Sequence, residues 1–404
     1  MTELTSRELL VHLYETAVDA VDGRQLVQQW CRDNPSAGFM HCVAVGKAAS
    51  PMLQGALASR HSIVSALMIT PAGAVATDIR RNKKVSVIES SHPVPDQSSL
   101  DAGRALIDYV SALPAGASLL VLVSGGTSSL VEVPVESISL SQLQQINEHL
   151  LASGMDIHAM NAWRKQFSQI KGGGLLHYVQ HLQCMQLVLS DVYGNDPAVI
   201  GSGLLVPSAN DQCDNDSWLQ SLLPKQTGKT AACNPVETHV IGSVEIAMQA
   251  VVDEAMHQGL DHYLHDEFVC GDAVKQGKVI GQYLIDAPAG VHVWGGETTV
   301  ALPEKPGLGG RNQSMALSLA TAIDGSDDLS VLVAGTDGID GNTRCAGAIV
   351  SGGSMQQARQ MGFDVEAELR SANAGMVLMA IGDLFKPGAT NTNVMDVIIA
   401  YKRC

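Results

Sequence analysis

The stretch Leu119-Leu120-Val121-Leu122-Val123-Ser124-Gly125-Gly126-Thr127-Ser128-Ser129 joins five apolar residues to a glycine pair and a run of hydroxyl side chains. An uninterrupted apolar run of this kind is typical of a strand that is buried on both faces of a parallel sheet. The glycines allow a tight turn and a close approach of backbone to a ligand. The stretch therefore predicts a buried strand, a glycine loop and a helix, which together form one repeat of an α/β fold.

The same order of elements recurs through the first half of the chain. We predict strands at 41–45, 63–69, 84–88 and 186–189, and helices at 6–32, 98–113, 140–152 and 157–168. Strands that alternate with helices favour a parallel sheet covered on both faces. The fold class is therefore α/β, and residues 1–232 are predicted to form a doubly wound, mostly parallel, Rossmann-like domain.

A second α/β domain is expected over residues 233–404. Residues 207–235 are polar and rich in proline and glycine, which predicts a connection between domains. Strands follow near 291–294, 331–334 and 396–400, with helices at about 243–258 and 311–322. The 404-residue length agrees with two domains, because one core of that size is unusual.

The composition excludes some classes of function. The chain carries 41 acidic residues against 25 Lys and Arg, a formal net charge of −16. Nucleic-acid binding and membrane-surface binding both require a basic face, so neither partner is expected. No apolar run reaches the ~18 residues of a membrane span, and the start of the chain has no signal-peptide pattern. The eight cysteines form no CxxC pair, so we expect reduced thiols in a cytoplasmic protein.

Three glycine-hinged polar clusters stand close together in the second half. They read Gly295-Gly296-Glu297-Thr298, Gly309-Gly310-Arg311-Asn312-Gln313 and Gly335-Thr336-Asp337-Gly338-Ile339-Asp340-Gly341. The first and third follow apolar runs, so we expect them to be loops at the carboxyl ends of parallel strands, where open α/β sheets bind ligands. An arginine between two acidic clusters suggests a phosphate handled together with a divalent metal.

The first half offers an opposing set of candidates. Lys47, in Gly46-Lys47-Ala48-Ala49, is either a solvated charge or a point cation for phosphate. His92 either contacts substrate or hydrogen-bonds only within its loop. The cations of Arg164-Lys165 and Lys171 form either an anion clamp or a solvated helix end. Asp191 and Asp196 suit either a Mg²⁺ shell or turn and capping chemistry.

Taken in order along the chain, these motifs resemble the type II glycerate kinase family, also called glycerate 2-kinase, with its MOFRL-type C-terminal domain. The first half of the resemblance comprises Val45–Ala49, Ser91–Asp96, Leu122–Gly126, Arg164-Lys165, Ile170–Gly173, Leu189–Asp191, Asp196–Ile200 and Ser202-Gly203. The second half comprises the three glycine-hinged clusters and Thr392-Asn393-Val394. Each motif is weak alone, but the ordered set is specific.

The resemblance implies two α/β domains across a cleft and an ATP- and Mg²⁺-dependent phosphorylation of D-glycerate to 2-phosphoglycerate. It implies Lys47, Arg311 and Asp337 as catalytic residues. For such a reaction we further predict that Asp191, with Asp196 or Glu297, holds the Mg²⁺. Binding of substrate or nucleotide is expected from a larger set: His92, Ser124, Gly125, Gly126, Ser128, Arg164, Lys171, Gly296, Glu297, Thr298, Asn312, Asp340, Thr392 and Asn393. The partners are then small molecules, and a homodimer is left open.

The chain departs from the family pattern at several positions. Thr127 and Ser129 replace a glycine and an alanine, Tyr193 and Asn195 interrupt the loop after Asp191, and the run Pro387–Asp396 is altered. Two other functions stay open. An oxidoreductase acting on hydroxypyruvate would need a nicotinamide site, yet no complete GxGxxG is present. A non-catalytic sugar-acid sensor would not need Lys47, Arg311 and Asp337.

Overall fold

The computed structural model describes residues 4–35, 38–59, 62–153, 155, 157–207, 213, 215–223 and 235–404. The chain divides into two compact units. The N-terminal unit is Gly23–Gly242, and the C-terminal unit comprises the residues up to Asp22 together with Ser243–Cys404. The sequence-based division at 232/233 assigned the first helix to the other domain. Long-range packing of this kind leaves no local signal in the sequence.

The sheet of the N-terminal unit has six strands, all parallel, in the order β3-β2-β1-β4-β5-β6. Their bounds are β1 His41–Val45, β2 Ser65–Pro71, β3 Val85–Ser90, β4 Ser118–Val123, β5 Gln183–Leu189 and β6 Glu237–Gly242. The order runs outward in opposite directions from the neighbours β1 and β4, which makes this pair the topological switch point. The Rossmann-like prediction for this half is confirmed.

Helices of the N-terminal unit connect these parallel strands. They are α2 Gly23–Asp33, α3 Ala49–Ala58, α4 Thr77–Arg81, α5 Gln97–Ser111, α6 Thr127–Leu130, α7 Leu140–Ala152, α8 Ile157–Gln166, α9 Leu176–Val179 and α10 Ser217–Leu222. Strand β4 is the centre of the core, because Leu119–Val123 are at most 1% exposed. A second apolar cluster includes Leu143, Ile146, Trp163 and Phe167, and it packs α7 and α8 together.

The C-terminal unit contains a mixed sheet of seven strands. They are β7 His262–Leu264, β8 Val269–Asp272, β9 Gly290–Thr299, β10 Leu329–Gly335, β11 Gly347–Ser351, β12 Leu384–Phe385 and β13 Asp396–Lys402. The order is β12-β11-β10-β13-β9-β7, with β8 paired to β9. Because β13 is antiparallel to both β9 and β10, those two strands run in the same direction and end at the same edge.

Helices of the C-terminal unit cover this mixed sheet. They are α1 Ser6–Ala20, α11 Val244–His257, α12 Ala273–Asp286, α13 Arg311–Ala322, α14 Ser354–Gln360, α15 Val365–Arg370 and α16 Ala374–Ile381. Helix α1 packs against α11 and β13, and its start is fixed by a capping box between Thr5 and Glu8. The single helix predicted at 6–32 is therefore wrong, because α1 and α2 are separate and belong to different units.

The first glycine cluster is not a loop, contrary to the prediction. Gly295–Thr298 lies inside β9, and the neighbouring β13 is antiparallel rather than parallel. The glycine pair is explained by close packing. A Cβ on Gly295 would lie 2.7 Å from Met248 Sδ, and one on Gly296 would clash with Val269. Glycine therefore permits neighbouring elements to approach this strand rather than breaking it.

Much of the predicted connection at 207–235 lies outside the described residues, although α10 falls within it. The seven cysteines in the described part are free thiols. Among the described residues, no helix has both the length and the apolar character needed to cross a membrane.

Candidate active site

Hydrogen bonds join the loops after β1 and β4 at the switch point. Lys47 N donates to Gly125 O at 2.8 Å, and Ala48 N donates to Ser124 Oγ at 3.0 Å. Gly46 has a φ of 127°, and any Cβ there would clash with Ser124. Only glycine allows this approach, which brings Lys47 next to Gly126.

Four strand ends of the N-terminal unit contribute to one site. A Cβ placed on Gly126 would lie 2.9 Å from His92 Cδ2 and 3.3 Å from Lys47 Cγ, so both side chains border this glycine. Burial raises the pKa of Asp191, and the charge of Lys47 opposes that effect. Lys47 and Asp191 therefore lie within electrostatic reach of each other. The structure brings together the predicted residues that follow β1, β3, β4 and β5.

Replacing Gly126 with alanine is expected to lower kcat/KM by about 10²-fold, because the new methyl group would displace His92 and Lys47. The φ of 83° adds a conformational cost of about 1–2 kcal/mol. Gly116→Ala is the matched control, since Gly116 has a φ of 79° and no atom within 4 Å of the added Cβ. Equal losses of activity in the two variants would contradict this role for Gly126. Steady-state kinetics and thermal unfolding measure both effects.

A cavity of about 190 Å³ lies beside this site, wholly within the N-terminal unit. The loops after β3 and β4 and helices α7 and α8 supply most of its wall. Its lining residues are His92, Pro93, Pro95, Gly126, Ser128, Ser129, Glu132, Leu143, Ile146, Asn147, Arg164, Phe167 and Lys171. Pockets for drug-sized ligands measure roughly 300–1,000 Å³, so this cavity suits a smaller molecule.

The polar wall of the cavity contains a buried ion pair. The Lys171 ammonium donates to Glu132 Oε2, and the two side chains are only 3% and 2% exposed. Ser168 Oγ donates to Glu132 Oε1 at 2.6 Å. Arg164 donates from Nε to Asn147 Oδ1 at 3.1 Å. Burial lowers the pKa of Arg164, and the Glu132 charge opposes this. Lys171 is thus not part of a solvated helix end.

Sequence reasoning missed Glu132. The available signal was a carboxylate in the otherwise apolar run Leu130-Val131-Glu132-Val133, directly after the glycine loop. A carboxylate is rarely buried without a partner, so the run implied a buried cation nearby.

The C-terminal unit contains a second cluster of charges, centred on Arg311. Arg311 Nε donates to Asp396 Oδ2 at 2.6 Å and Nη2 donates to Oδ1 at 3.0 Å. Its Nη1 lies 3.0 Å from Glu297 Oε1. Burial acts to lower the pKa of Arg311, but the charges of Asp396, Glu297 and Asp340 outweigh it and raise that pKa. Arg311 is therefore held as a permanent cation.

The register of the mixed sheet explains this cluster. Asp396 begins β13 and pairs with Gly296 of β9 on one side and with Gly335 of β10 on the other. A Cβ on Gly335 would lie 3.2 Å from Asp337 Oδ1 and 3.3 Å from Asp396 Oδ1, so both carboxylates border that glycine. Sequence reasoning quoted Asp396 only as the end of an altered motif and gave it no role.

Two further groups support the Asp337 loop. Tyr14 of α1 is 1% exposed and donates its hydroxyl to Gly335 O at 2.8 Å. Burial, together with the charges of Asp337 and Asp396, raises the pKa of Tyr14. Asp340 accepts from Asn312 N at 3.1 Å and from Gln313 N at 2.9 Å, which satisfies two N–H groups at the start of α13.

Asp340 should make stability depend on pH. Burial raises its pKa from 3.8 to about 6, so the folded state holds this proton more tightly than the unfolded state. The contribution of this group is therefore fully present below about pH 4 and is lost as the pH rises through about 6. Between about pH 4 and pH 7 the difference in free energy of unfolding between the wild type and Asp340→Asn should fall by about 2 kcal/mol. Urea unfolding at several pH values measures it, and a pH-independent difference would contradict the assignment.

Several predicted residues of the C-terminal unit have buried polar atoms that lack a hydrogen-bond partner among the described residues. These atoms are Thr298 Oγ1, Asn312 Oδ1 and Thr392 Oγ1. Asn393 is 8% exposed, and Gly296 lies beside Asp396. In the N-terminal unit, Ser128 hydrogen-bonds Ser202 at 2.8 Å. Unsatisfied buried groups are unusual in folded proteins and are compatible with a ligand site.

The predicted metal ligands do not form a cage. Within the described ranges, no group of three or more His, Cys, Asp or Glu side chains is arranged to hold a metal ion. Asp196 Oδ1 accepts from Ala198 N at 2.9 Å, which is the turn chemistry considered as the alternative for this loop. Glu297 is paired with Arg311.

Comparison with known proteins agrees with the motifs. A protein named putative hydroxypyruvate reductase from Agrobacterium vitis is 31% identical, covering 98% of this chain and 94% of that protein. A D-glycerate 2-kinase from Thermotoga maritima is 33% identical, covering 88% of this chain and 89% of the relative. A crystal structure of glycerate kinase from Thermotoga maritima has a TM-score of 0.85 at 30% identity, over 98% of this chain and 99% of that one.

Two family models also match the chain. The first, described as a domain of unknown function (DUF4147), covers residues 9–230, and the MOFRL family covers residues 290–396. The first match alone spans more than half of the chain, and the two follow each other in the order that the motifs predicted. The chain therefore belongs to the type II glycerate kinase family, with a DUF4147 region followed by a MOFRL region.

Proposed function

We propose that this protein phosphorylates the 2-hydroxyl of D-glycerate with ATP. The observation that carries the proposal is the position of Lys47. It lies at the Rossmann-type switch point, beside Gly126 and His92, and next to a cavity of about 190 Å³ that contains Arg164 and Lys171. A D-glycerate 2-kinase relative at 33% identity supplies the reaction type.

The residues present suit phosphoryl transfer, which depends on positioning and charge neutralisation. Lys47 is assigned to the transferring phosphoryl group. Arg311, fixed by Asp396 and Glu297, is assigned to negative charge that develops in the transition state. Asp337 is assigned to orienting or deprotonating the attacking hydroxyl. These three assignments come from the family resemblance, and the ordered contacts around each residue support them.

The carboxylates present suit a Mg²⁺ ion that binds together with the nucleotide. Mg²⁺ is commonly held by one or two carboxylates, with phosphates and water completing its shell. Asp191, partly buried near Lys47, can supply one such carboxylate. When bound, the ion would neutralise charge on the nucleotide phosphates. Asp196 and Glu297 stay candidates for the same role.

Reduction of hydroxypyruvate is the alternative, because a relative from Agrobacterium vitis carries that name. The loop after β1 argues against it. A dinucleotide site places a glycine-rich turn there so that backbone can approach the pyrophosphate. This chain has Gly46-Lys47-Ala48-Ala49 instead, with Lys47 N bonded to Gly125 O. The kinase is therefore the better-supported function.

Two coupled assays on one preparation test the proposal. ADP release with D-glycerate and MgATP should be observed, and NADH or NADPH oxidation with hydroxypyruvate should not. NMR of the product should show phosphate on the 2-oxygen. Cofactor oxidation without ADP release would overturn the kinase in favour of the reductase, and neither activity would favour the sensor. The cytoplasmic location, the homodimer, the domain bounds 1–232 and 233–404, and the cleft between the domains stay predictions.

A further inference from the structure

We propose that the cavity of the N-terminal unit is a subsite for a small monoanionic acid, and that Glu132 sets its charge selectivity. Glu132 would do so by neutralising Lys171, which leaves the Arg164 guanidinium for one ligand carboxylate. The identity of that acid as glycerate rests on the proposed function, whereas the charge selectivity does not.

The first argument is the charge of the wall. Two cations, Arg164 and Lys171, and one carboxylate, Glu132, line the cavity, which gives a net formal charge of +1 with histidine counted as neutral. A buried site is most favourable when the ligand brings the opposite and equal charge, because unpaired charge is costly there. The wall therefore matches one negative charge better than none or two.

The second argument is that the two cations have different hydrogen-bond partners. The Lys171 ammonium is paired with Glu132, and this carboxylate also accepts from Ser168 Oγ and from Val133 N at 3.0 Å. Among the described residues, the hydrogen-bond partners of Arg164 are neutral amides, Asn147 through Nε and Asn161 through Nη1 at 3.3 Å. The guanidinium has five N–H donors and a planar shape that matches a carboxylate. Arg164 is thus held in place by neutral hydrogen-bond partners, whereas Glu132 hydrogen-bonds Lys171 and acts on Arg164 at longer range.

The third argument is size. The cavity of about 190 Å³ is smaller than the usual nucleotide-sized or drug-sized pocket. Leu143, Ile146 and Phe167 form its apolar side. A three-carbon acid fits this volume, and the nucleotide is expected to bind elsewhere.

Three ligands with the same carbon skeleton provide the test. Glycerol is neutral, D-glycerate carries one charge, and hydroxymalonate carries two. Calorimetric titration of the full-length protein without nucleotide should show D-glycerate binding at least about tenfold more tightly than either of the others. Glycerol binding as tightly as D-glycerate, or hydroxymalonate binding more tightly, would overturn the proposal.

Variants of the ion pair give the sharper test. Glu132→Gln raises the wall charge to +2 and should shift the preference towards hydroxymalonate by at least about tenfold. The double variant E132Q/K171M returns the charge to +1 without a buried unpaired ammonium, so the preference for D-glycerate should return. An unchanged preference in folded Glu132→Gln, or a lost preference in the folded double variant, would contradict a role in charge selectivity.

Arg164→Gln provides an independent test of the subsite if Glu132→Gln does not fold. Binding of D-glycerate should fall by at least about 30-fold while binding of glycerol is unchanged. The control is Arg104→Gln, because Arg104 lies on α5 with a side chain that is 68% exposed. Retained D-glycerate binding in Arg164→Gln would overturn the proposal.

The binding measurements involve no turnover, so they test the subsite separately from the kinase activity. Selective binding with no ADP release would reject the kinase alone. ADP release without selective binding would reject the subsite alone.

Discussion

Lys47→Ala should lower kcat for ADP release by about 10²- to 10³-fold, the usual effect of removing one group that stabilises developing charge. The side chain lies beside Gly126 at the switch point, and its charge opposes the burial-driven rise in the pKa of Asp191. Its backbone N–H would still bond Gly125 O, so the loop should keep its shape. Saturating concentrations of both substrates separate the loss of turnover from weaker binding.

Lys83→Ala is the matched control for that prediction. Lys83 is exposed just before β3, so it lies at the amino end of the parallel sheet, away from the ligand-binding edge. Its removal should leave kcat unchanged and the unfolding temperature within experimental error. If Lys47→Ala kept more than one third of wild-type turnover, Lys47 would not contact the transferring group.

The N-terminal sheet was predictable because its signals are local. The run Leu119–Val123 is apolar on both faces, and a glycine loop follows it directly. Such a segment specifies a buried parallel strand almost without reference to the rest of the chain. The same locality predicted that Lys47 and Ser124–Gly126 would both stand at strand ends. Their adjacency then follows from the strand order, in which β1 and β4 are neighbours.

The C-terminal cluster could be predicted only in part, because the position of Asp396 depends on the register of the strands. Arg311 and Asp337 were recognisable from the glycine residues around them. Asp396 is not adjacent to glycine residues in the sequence. Its role arises because β13 is antiparallel to β9 and β10 and begins between Gly296 and Gly335. Helix α1 presents the same difficulty. Its Tyr14 supports Gly335 across 321 residues of sequence, and no local pattern encodes that contact.

A buried ion pair was the other feature that could not be predicted from the sequence. A cation near a glycine run was interpreted as either a ligand clamp or a solvated helix end, and those alternatives were equally balanced from sequence. The structure shows a third situation for Lys171, in which a buried carboxylate neutralises it. The partner, Glu132, is 39 residues away in the chain. Burial and pairing are long-range properties, so single-residue reasoning could not separate Lys171 from Arg164.

Arg311→Ala should lower kcat by about 10³-fold, and, unlike Lys47→Ala, it should also lower the free energy of unfolding by about 3 kcal/mol. The physical reason is Asp396, whose side chain is 4% exposed and loses both N–H donors of the guanidinium. Asn312 Nδ2 would be left as a neutral donor to it at 3.0 Å. Urea unfolding and ADP release, measured on the same preparation, provide the two values.

Arg359→Ala is the control for Arg311→Ala, because Arg359 makes the same two-pronged pair with Asp324, at 2.7 and 3.1 Å. That pair is exposed to solvent, with side chains 56% and 33% accessible, so its loss should cost much less stability than the loss of Arg311 and no activity. The double variant R311A/D396N removes the unpaired buried charge and should regain part of the stability but none of the turnover. Equal stability losses at Arg311 and Arg359 would contradict the buried-charge argument, and recovered turnover in the double variant would show that Arg311 acts only through Asp396.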